Sequence, residues 1–360
     1  MNNACERDVR NSERNVLVSV IIPIYNASSH INKGIQYILN QTYQNIEILL
    51  VDDGSTDNSG EICDALTNFD NRIRVFHQTN MGSGAARNLG LAKAQGKYVY
   101  FFDIDDSASP ELVSYCVEEM EKREVDFLLF GFKAIDVTNN NREENIAYKE
   151  QEIFSNQQLK GIYLDTFVFP KHGNGFPWNK FYRLSFLNQH KLRFENLRIQ
   201  QDEVFNLNIY PHLDKSFISS RVLYTYYIHS NGNSRSQFIP DRFNIYISVR
   251  EHFEALKDFW HISNPIFDDY LIRRFYNGLD ASIRFNLFHQ DCKYDIQKKK
   301  RLMKEILVHP LSKEAISYME NVKLNMENKC YLREYVRCSF VGIRFWNYLF
   351  KLLRRIKRVL

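Results

Sequence analysis

The first 135 residues alternate between apolar runs and amphipathic segments. The runs are rich in β-branched and aromatic residues and lie at 16–26, 46–55, 72–78, 97–102 and 125–135. Their length and composition predict buried strands. The segments between them carry apolar residues at helical spacing, as in 28–41. Strands that alternate with helices predict an α/β domain built on a mostly parallel sheet flanked by helices.

The pattern changes along the rest of the chain. Residues 136–152 are polar and predict a solvated hairpin or loop, whereas 170–183 are broken by glycine and proline around Trp178. Beyond about residue 240 the apolar spacing is helical. These changes predict a mainly helical C-terminal extension after the α/β domain.

Acidic residues follow two of the predicted strands. Asp52 and Asp53 end the second, and Asp103, Asp105 and Asp106 end the fourth. Ligands of parallel sheets bind at the carboxyl ends of the strands, where these acids would meet. On an extended backbone Asp103 and Asp105 would point the same way and suit Mg²⁺ or Mn²⁺. The alternative is an ordinary strand end at which Asp106 or Ser107 caps the next helix.

Three further side chains suit a nucleotide. Tyr25, at the end of the first strand, offers a flat face to a base, and Asp53 offers a hydrogen-bond acceptor. Arg87 follows the glycine-containing segment "MGSGAA" and could meet a phosphate or a base carbonyl. A turn at Asp53 and a surface salt bridge at Arg87 are the structural alternatives.

Composition narrows the class of protein. The 360 residues are 44% hydrophobic, which is enough for a substantial core. The six cysteines lack metal-ligand spacing, so neither a zinc site nor a disulfide framework is indicated. The first 15 residues are polar and no stretch approaches the roughly 18 apolar residues of a spanning helix. We therefore expect a cytoplasmic globular protein.

Positive charge is concentrated at the C-terminus. The net charge of +4 divides into +8 for residues 329–360 and −4 for the remainder, which argues against nucleic acid as a partner of the fold. Within 336–360 an apolar stripe is flanked by arginine and lysine; its predicted members are Phe340, Ile343, Trp346, Leu349, Leu353 and Ile356. Such a helix favours peripheral attachment to an anionic membrane surface. Packing on the domain or on a protein partner is the alternative.

Several fragments together resemble glycosyltransferase family 2, the inverting nucleotide-sugar transferases of the GT-A fold. They are "VSVIIPIYN", "ILNQTYQNIEILLVDDGSTDNS", "NMGSGAARNLGLAKAQGKYVYFFDIDD" and "PWNKFYR". The resemblance is strong over 17–135 and extends to about 235. It implies a GT-A domain at 16–240 with nucleotide-binding (16–135) and acceptor-binding (136–240) halves. The sequence pattern outside that domain predicts a polar tail at 1–15, a helical extension at 241–335 and the basic helix at 336–360.

The resemblance also implies roles on the donor side. Pro23 and Tyr25 would line the nucleotide pocket, Asp53 would accept the uracil N3–H, and Arg87 would lie near the base or diphosphate. Asp103 would contact the ribose or the metal.

Under the diphosphate, Asp105 would bind Mn²⁺ or Mg²⁺ directly. Ile104 stands where relatives often have serine, and its side chain should point away from the site.

On the acceptor side, inverting transfer needs a carboxylate that deprotonates the acceptor hydroxyl. The segment "QDEVF" matches the family's acidic motif with Gln201 in place of the usual glutamate, which makes Asp202 the predicted base and Glu203 the second candidate. Trp178 would form a wall of the sugar or acceptor pocket, or else pack a loop onto the core. His229 and the loop containing Arg235 would close over the diphosphate.

The resulting hypothesis is an inverting enzyme that transfers a sugar from a UDP-sugar donor to a hydroxyl of a glycan acceptor. The basic tail suggests an acceptor linked to polyprenyl diphosphate, as in bacterial surface polysaccharide assembly. A sugar-nucleotide pyrophosphorylase and a non-catalytic nucleotide-sugar or glycan-binding protein are the rival hypotheses. The first should have a glycine-rich basic loop after strand one, where this chain has "IPIYNASSHINKG". The second should lack the metal-binding or base carboxylates.

Overall fold

The computed structural model describes residues 16–170, 175–229 and 237–359. The predicted polar tail and Arg235 lie outside these ranges. The chain divides into two compact units, Met1–Ser230 and Asn231–Leu360.

A single ten-stranded sheet organises the first unit. Its strands are β1 Val18–Ile24, β2 Ile46–Asp52, β3 Ile73–His77, β4 Tyr98–Phe101, β5 Ser107–Ala108, β6 Phe127–Asp136, β7 Arg142–Ile146, β8 Gln151–Ile153, β9 Lys180–Arg183 and β10 Ser216–Ile228. The order is β3-β2-β1-β4-β9-β6-β10-β5, with β7 paired to β6 and β8 to β10. The strands β3, β2, β1 and β4 are mutually parallel, which confirms the α/β prediction for this half.

The other half of the sheet is mixed. Strand β9 is antiparallel to both of its neighbours, β4 and β6, and β10 is parallel to β6. The polar stretch 136–152 contains β7 and leads into β8, and β7 returns antiparallel to β6 as a hairpin.

The register of the central strands sets the position of the acids. Val18 pairs with Ile46 in β2 and with Tyr98 in β4, so the three strands start level and run toward the same edge of the sheet. Every residue of β2 and β4 is buried, because helices cover both faces. The residues that follow β1, β2 and β4 therefore emerge side by side.

Seven α-helices of the first unit are described: α1 Ser28–Leu39, α2 Ser59–Leu66, α3 Ser83–Lys93, α4 Leu112–Arg123, α5 Asn156–Tyr163, α6 Leu184–Gln189 and α7 Gln201–Ile209. A π-helical turn spans Leu164–Val168 and a 3₁₀ turn spans Tyr210–His212. Helix α1 buries Ile31, Ile35 and Ile38 against the sheet. On the same helix a Cβ added to Gly34 would lie 2.0 Å from the carbonyl oxygen of Ile104, so glycine allows the close approach that supports the acidic turn after β4.

The second unit is helical where it is described. Its helices are α8 Arg242–Phe259, α9 Pro265–Asp280, α10 Ile296–Val308, α11 Pro310–Glu320, α12 Met326–Val336 and α13 Phe340–Val359, with a π-helical segment at Ala281–Leu287. They enclose their own core, which includes Leu279, Ile283, Met303 and Tyr335. Among the described residues, each helix is too short or too polar to span a bilayer.

Candidate active site

The acids after β4 lie in a tight turn. The backbone N–H of Asp106 donates to the carbonyl of Asp103 at 3.1 Å, so residues 103–106 are not extended. The expectation of an extended backbone at Asp103 and Asp105 is therefore wrong, because strand pairing stops before them. Ile104 is only 6% exposed and belongs to the core, which confirms that its side chain points away from the site.

Arg87 joins two of the predicted functional carboxylates. Its Nη2 donates to Asp103 Oδ1 and its Nη1 to Asp202 Oδ1, both at 2.8 Å. The guanidinium is 3% exposed and lies over the ring of Phe194. Burial alone would lower the pKa of Arg87, but Asp202 and Asp103 outweigh it and raise that pKa. Arg87 is thus a buried bridge from Asp103 to Asp202, which lies 115 positions after Arg87 in the chain, and not a surface salt bridge.

Asp202 lies in the first turn of α7 and remains accessible. Its side chain is 31% exposed, and its backbone carbonyl accepts from Asn206 Nδ2 at 2.9 Å. Desolvation raises the pKa of Asp202, while Arg87 and Lys180 oppose the rise. A carboxylate with raised proton affinity that still reaches solvent is suited to general base work.

Two neighbours of Asp202 were not assigned a role from the sequence. Lys180 is fully buried and donates through Nζ to Asn179 Oδ1 at 2.8 Å and to the carbonyl of Phe176. Burial lowers the pKa of Lys180 well below its usual range. Gln201 donates through Nε2 to Ser83 Oγ at 2.7 Å and so ties α7 to the start of α3. The presence of Lys180 in "WNK" was the available sequence signal, but its burial depends on strand β9.

Asp53 holds the loop in front of α3. Its Oδ1 accepts from Gln78 Nε2 at 2.7 Å and from the Met81 N–H at 2.9 Å, and its Oδ2 accepts from the Gly82 N–H at 2.7 Å. It is 2% exposed. In this arrangement Asp53 fastens the loop and does not present its carboxylate to a base, in contrast to the expectation. Gly54 has φ +69° and an added Cβ would lie 2.7 Å from the Asn80 nitrogen, which explains the glycine in "VDDGS".

Tyr25 follows β1 and is 51% exposed, whereas Pro23 within the strand is half-buried. The next residue, Asn26, has φ 47°, and its side-chain oxygen accepts from the Thr56 N–H at 2.8 Å. The Ala27 N–H donates to Ser59 Oγ at 2.8 Å. These bonds fasten the loop that carries Tyr25 to the loop after β2 and leave the Tyr25 ring open to a ligand.

Asp105 is exposed in the turn after β4. Partial desolvation and the nearby carboxylate of Asp103 raise the pKa of Asp105, while His30 and His229 oppose the rise. The two histidine rings meet edge to face with centroids 6.1 Å apart. Among the described residues no group of three or more His, Cys, Asp or Glu side chains forms a ready metal cluster. A divalent cation here would depend on Asp103, Asp105 and oxygens of its ligand, which is the sparse coordination typical of Mg²⁺.

Asp106 has a supporting role. It is 3% exposed and accepts from the Tyr224 hydroxyl at 2.7 Å and from the Tyr227 N–H at 2.9 Å. Burial, Asp105 and Asp103 raise the pKa of Asp106. It therefore fixes the turn to β10.

Trp178 lies beneath the site and not on its surface. Its indole is 2% exposed and stacks on Tyr224 with centroids 4.5 Å apart and on Phe176 at 4.7 Å. Phe132 meets it edge to face at 4.8 Å. The ring does not face an open pocket in this structure, so it packs the loop onto the core, as the alternative interpretation held.

Comparison with known proteins bears on the family of the chain. A model described as Glycosyl transferase family 2 matches residues 19–190. Glycosyltransferase GlyG of Streptococcus pneumoniae serotype 4 is 33% identical over 225 residues, which are 62% of this chain and 74% of that protein. Putative glycosyltransferase EpsH of Bacillus subtilis is 33% identical over 218 residues, which are 59% of this chain and 61% of that protein.

Solved structures extend the likeness to the fold. S. aureus TarS 1–349 in complex with UDP-GlcNAc superposes with a TM-score of 0.57 at 17% identity, covering 93% of this chain and 91% of that one. TarS 1–349 in complex with UDP gives 0.54 at 18% identity, with the same coverage. The parallel strand order, the acidic turn and these similarities together show that the chain is a glycosyltransferase of the GT-A fold and belongs to glycosyltransferase family 2.

Proposed function

We propose that this glycosyltransferase is an inverting, metal-dependent enzyme that transfers a sugar from a UDP-sugar to a hydroxyl of a glycan acceptor. The observation that carries the proposal is the shared bond of Arg87 to Asp103 and Asp202. One buried cation links the acidic turn predicted to hold the donor with the carboxylate predicted to activate the acceptor. The complex of S. aureus TarS with UDP-GlcNAc supports a UDP-sugar as donor.

On the donor side, the exposed ring of Tyr25 would stack on the base, with Pro23 beside it and the Asp53 loop as the opposite wall. Asp103 and Asp105 would hold Mn²⁺ or Mg²⁺, whose charge offsets that of the departing diphosphate. The fit rests on the donor set, because one tight turn supplies the carboxylates of Asp103 and Asp105 and the Asp105 side chain is exposed to a ligand.

On the acceptor side, Asp202 would take the proton of the attacking hydroxyl on a carboxylate oxygen. Arg87 holds Oδ1, so the carboxylate is oriented before the acceptor arrives. Because burial raises the pKa of Asp202, the transfer rate should fall as pH decreases through that raised value, since the protonated acid cannot accept a proton. Glu203, also in the first turn of α7, remains the second candidate.

The acceptor is proposed to be a growing oligosaccharide linked to polyprenyl diphosphate at the cytoplasmic face of a bacterial membrane, where surface polysaccharides are assembled. The charge of +8 over residues 329–360 supports this location, because anionic lipid attracts basic segments. Bacterial relatives such as GlyG and EpsH fit that biological setting.

The test is UDP release from a panel of UDP-sugars with Mn²⁺ or Mg²⁺, with a glycan acceptor and without it. Asp202→Asn should reduce kcat by a factor of about 10² to 10⁴ and leave the Kd for the UDP-sugar nearly unchanged. Asp105→Asn should weaken metal-dependent donor binding, and Glu203→Gln serves as the matched acidic control for Asp202.

Full activity of Asp202→Asn together with loss in Glu203→Gln would transfer the base role to Glu203. Formation of UTP from UDP-sugar and pyrophosphate would favour a pyrophosphorylase. Tight UDP-sugar binding without turnover on any acceptor would favour a binding protein. Product with retained anomeric configuration would contradict the inverting mechanism.

A further inference from the structure

Helix α13 has two apolar faces, and only one of them is used by the fold. On the first face Phe340 is 8% exposed and Ile343 is fully buried, and Trp346 and Phe350 pack against the same helical core. The second face carries large apolar side chains that are exposed.

Specific contacts fix the rotation of the helix about its axis. The Tyr331 hydroxyl donates to Asn347 Oδ1 at 2.7 Å, and the rings of Tyr331 and Phe350 lie 5.9 Å apart. A Cβ added to Gly342 would lie 2.0 Å from Glu334 Oε2, so the helix approaches α12 too closely to rotate freely. The outward face is therefore determined by packing.

That outward face is apolar. Val341 is 73% exposed, Phe345 55%, Tyr348 71% and Leu352 41%. Their spacing of four, three and four residues places them in one stripe, and at about 100° per residue this stripe lies roughly opposite the packed face. The exposed stripe therefore differs from the stripe predicted from the sequence, which is a correction.

The first three members of the stripe predicted from the sequence pack inside the unit; they are Phe340, Ile343 and Trp346.

Positive charge borders the outward stripe. Arg344 and Lys351 are exposed, and both fall on one flank of the stripe by helical spacing. Residues 329–360 contain Glu334 as their single acid, and that side chain is buried and bonded to Arg333. The surface of α13 therefore combines apolar area with uncompensated positive charge.

We propose that Val341, Phe345, Tyr348 and Leu352 form a lipid-binding face that inserts into the headgroup region of an anionic bilayer while Arg344 and Lys351 contact the lipid phosphates. An apolar stripe bordered by arginine and lysine on a helix unable to span is the pattern of an interfacial helix. Aromatic residues such as Phe345 and Tyr348 suit the interface, where one end of a side chain is apolar and the other wet. A second copy of the chain is disfavoured as occupant because it would bring another cluster of like charge against the first.

The inference deepens the proposed membrane location, on which it rests, but it does not depend on which sugar is transferred. It assigns the contact to a particular face, and that assignment differs from the one that the sequence pattern predicts.

The experiment is co-sedimentation of the full chain with vesicles of mixed phosphatidylglycerol and phosphatidylcholine and with vesicles of phosphatidylcholine alone. Phe345→Ser/Tyr348→Ser should lower the partition coefficient about tenfold or more in the mixed vesicles. The matched control is Phe69→Ser/Phe154→Ser, which removes two aromatic side chains that are 83% and 63% exposed in the other unit. Its partition coefficient should equal that of the unchanged protein.

A charge variant provides an independent readout. Arg344→Gln/Lys351→Gln should lower binding to the mixed vesicles about fivefold per charge and leave binding to phosphatidylcholine unchanged. Circular dichroism checks that all variants retain the helical content of the unchanged protein.

Equal binding by the Phe345/Tyr348 variant and the unchanged protein would overturn the inference. So would absence of vesicle binding combined with self-association that the same variant abolishes, since the face would then bind a second copy. UDP release with a soluble acceptor is measured in parallel. Failure of catalysis with retained vesicle binding would reject the proposed reaction alone, and the reverse would reject the lipid-binding face alone.

Discussion

Replacing Arg87 by methionine removes the cation shared by Asp103 and Asp202 and keeps a side chain of similar length. Loss of one partner from a buried ion pair costs about 3–5 kcal/mol, because a charge is left without compensation. Here the side chains of Asp103 and Asp202 are 27% and 31% exposed, so hydration of the two carboxylates offsets part of that cost. We expect the free energy of unfolding to fall by about 2–3 kcal/mol.

The same change should alter the acid limb of activity. Arg87 is the largest influence that opposes the raised pKa of Asp202, so its removal should raise that pKa further. The base must be ionised to act, so the midpoint of the acid limb of kcat should move to higher pH. A residue that only stabilised the fold would lower the amount of active enzyme at every pH and leave this midpoint in place.

Urea unfolding and the pH profile of UDP release measure the two effects. The control is Arg221→Met, which removes an exposed salt bridge to Glu111 and should cost at most about 1 kcal/mol with no change in the profile. The double variant Arg87→Met/Asp202→Asn should lose less stability than the two single variants lose together, because the two residues share one bond. Strict additivity, or an unmoved acid limb in Arg87→Met, would refute the bridge as a functional element.

Three further outcomes follow from the packing and the titration of particular side chains. Trp178→Ala should lower the free energy of unfolding by about 3–5 kcal/mol in a denaturant titration, whereas Trp178→Phe should cost much less; a small effect of the alanine would contradict the buried stack. Gly34→Ala should displace the turn at Ile104, weaken donor binding and lower the free energy of unfolding by about 1–3 kcal/mol. Unchanged donor affinity would argue against the contact between Gly34 and Ile104. Hydrogen bonds to Asp52 and Asp64 raise the pKa of His77. The stabilising effect of the charged His77 is therefore complete below about pH 6.5 and is lost as pH rises through the raised pKa. Because its side chain is 46% exposed, His77→Gln should lower thermal stability near pH 6 by under about 1 kcal/mol and have little effect at pH 9, whereas an equal effect at both would refute the pairing.

Local sequence patterns were enough to predict the parallel strands of the nucleotide-binding half. Strands such as β1 and β2 are short, apolar and bounded by turn residues, so their existence and their parallel order follow from alternation with helices. The acids at their ends were found for the same reason, since a carboxylate directly after a buried run stands out. The family resemblance added Asp202, which no local pattern distinguishes from a first-turn helix charge.

The roles of individual carboxylates required the tertiary structure. Asp53 and Asp103 both follow a strand, yet one is enclosed by three N–H donors and the other faces Arg87. Trp178 was similarly ambiguous, because the aromatic partners that bury it come from distant strands.

The sequence by itself determined the class of fold, the family and the edge of the sheet where chemistry belongs, because hydrophobic periodicity and motif spacing are local properties. Only the tertiary structure decided that Arg87 bridges Asp103 and Asp202 and that α13 turns Phe345 and Tyr348 outward. Both outcomes depend on contacts between residues far apart in the chain or on the rotation of a helix against its neighbours. Such contacts are chosen by packing and by the need to pair buried charge, and spacing along one segment does not encode them.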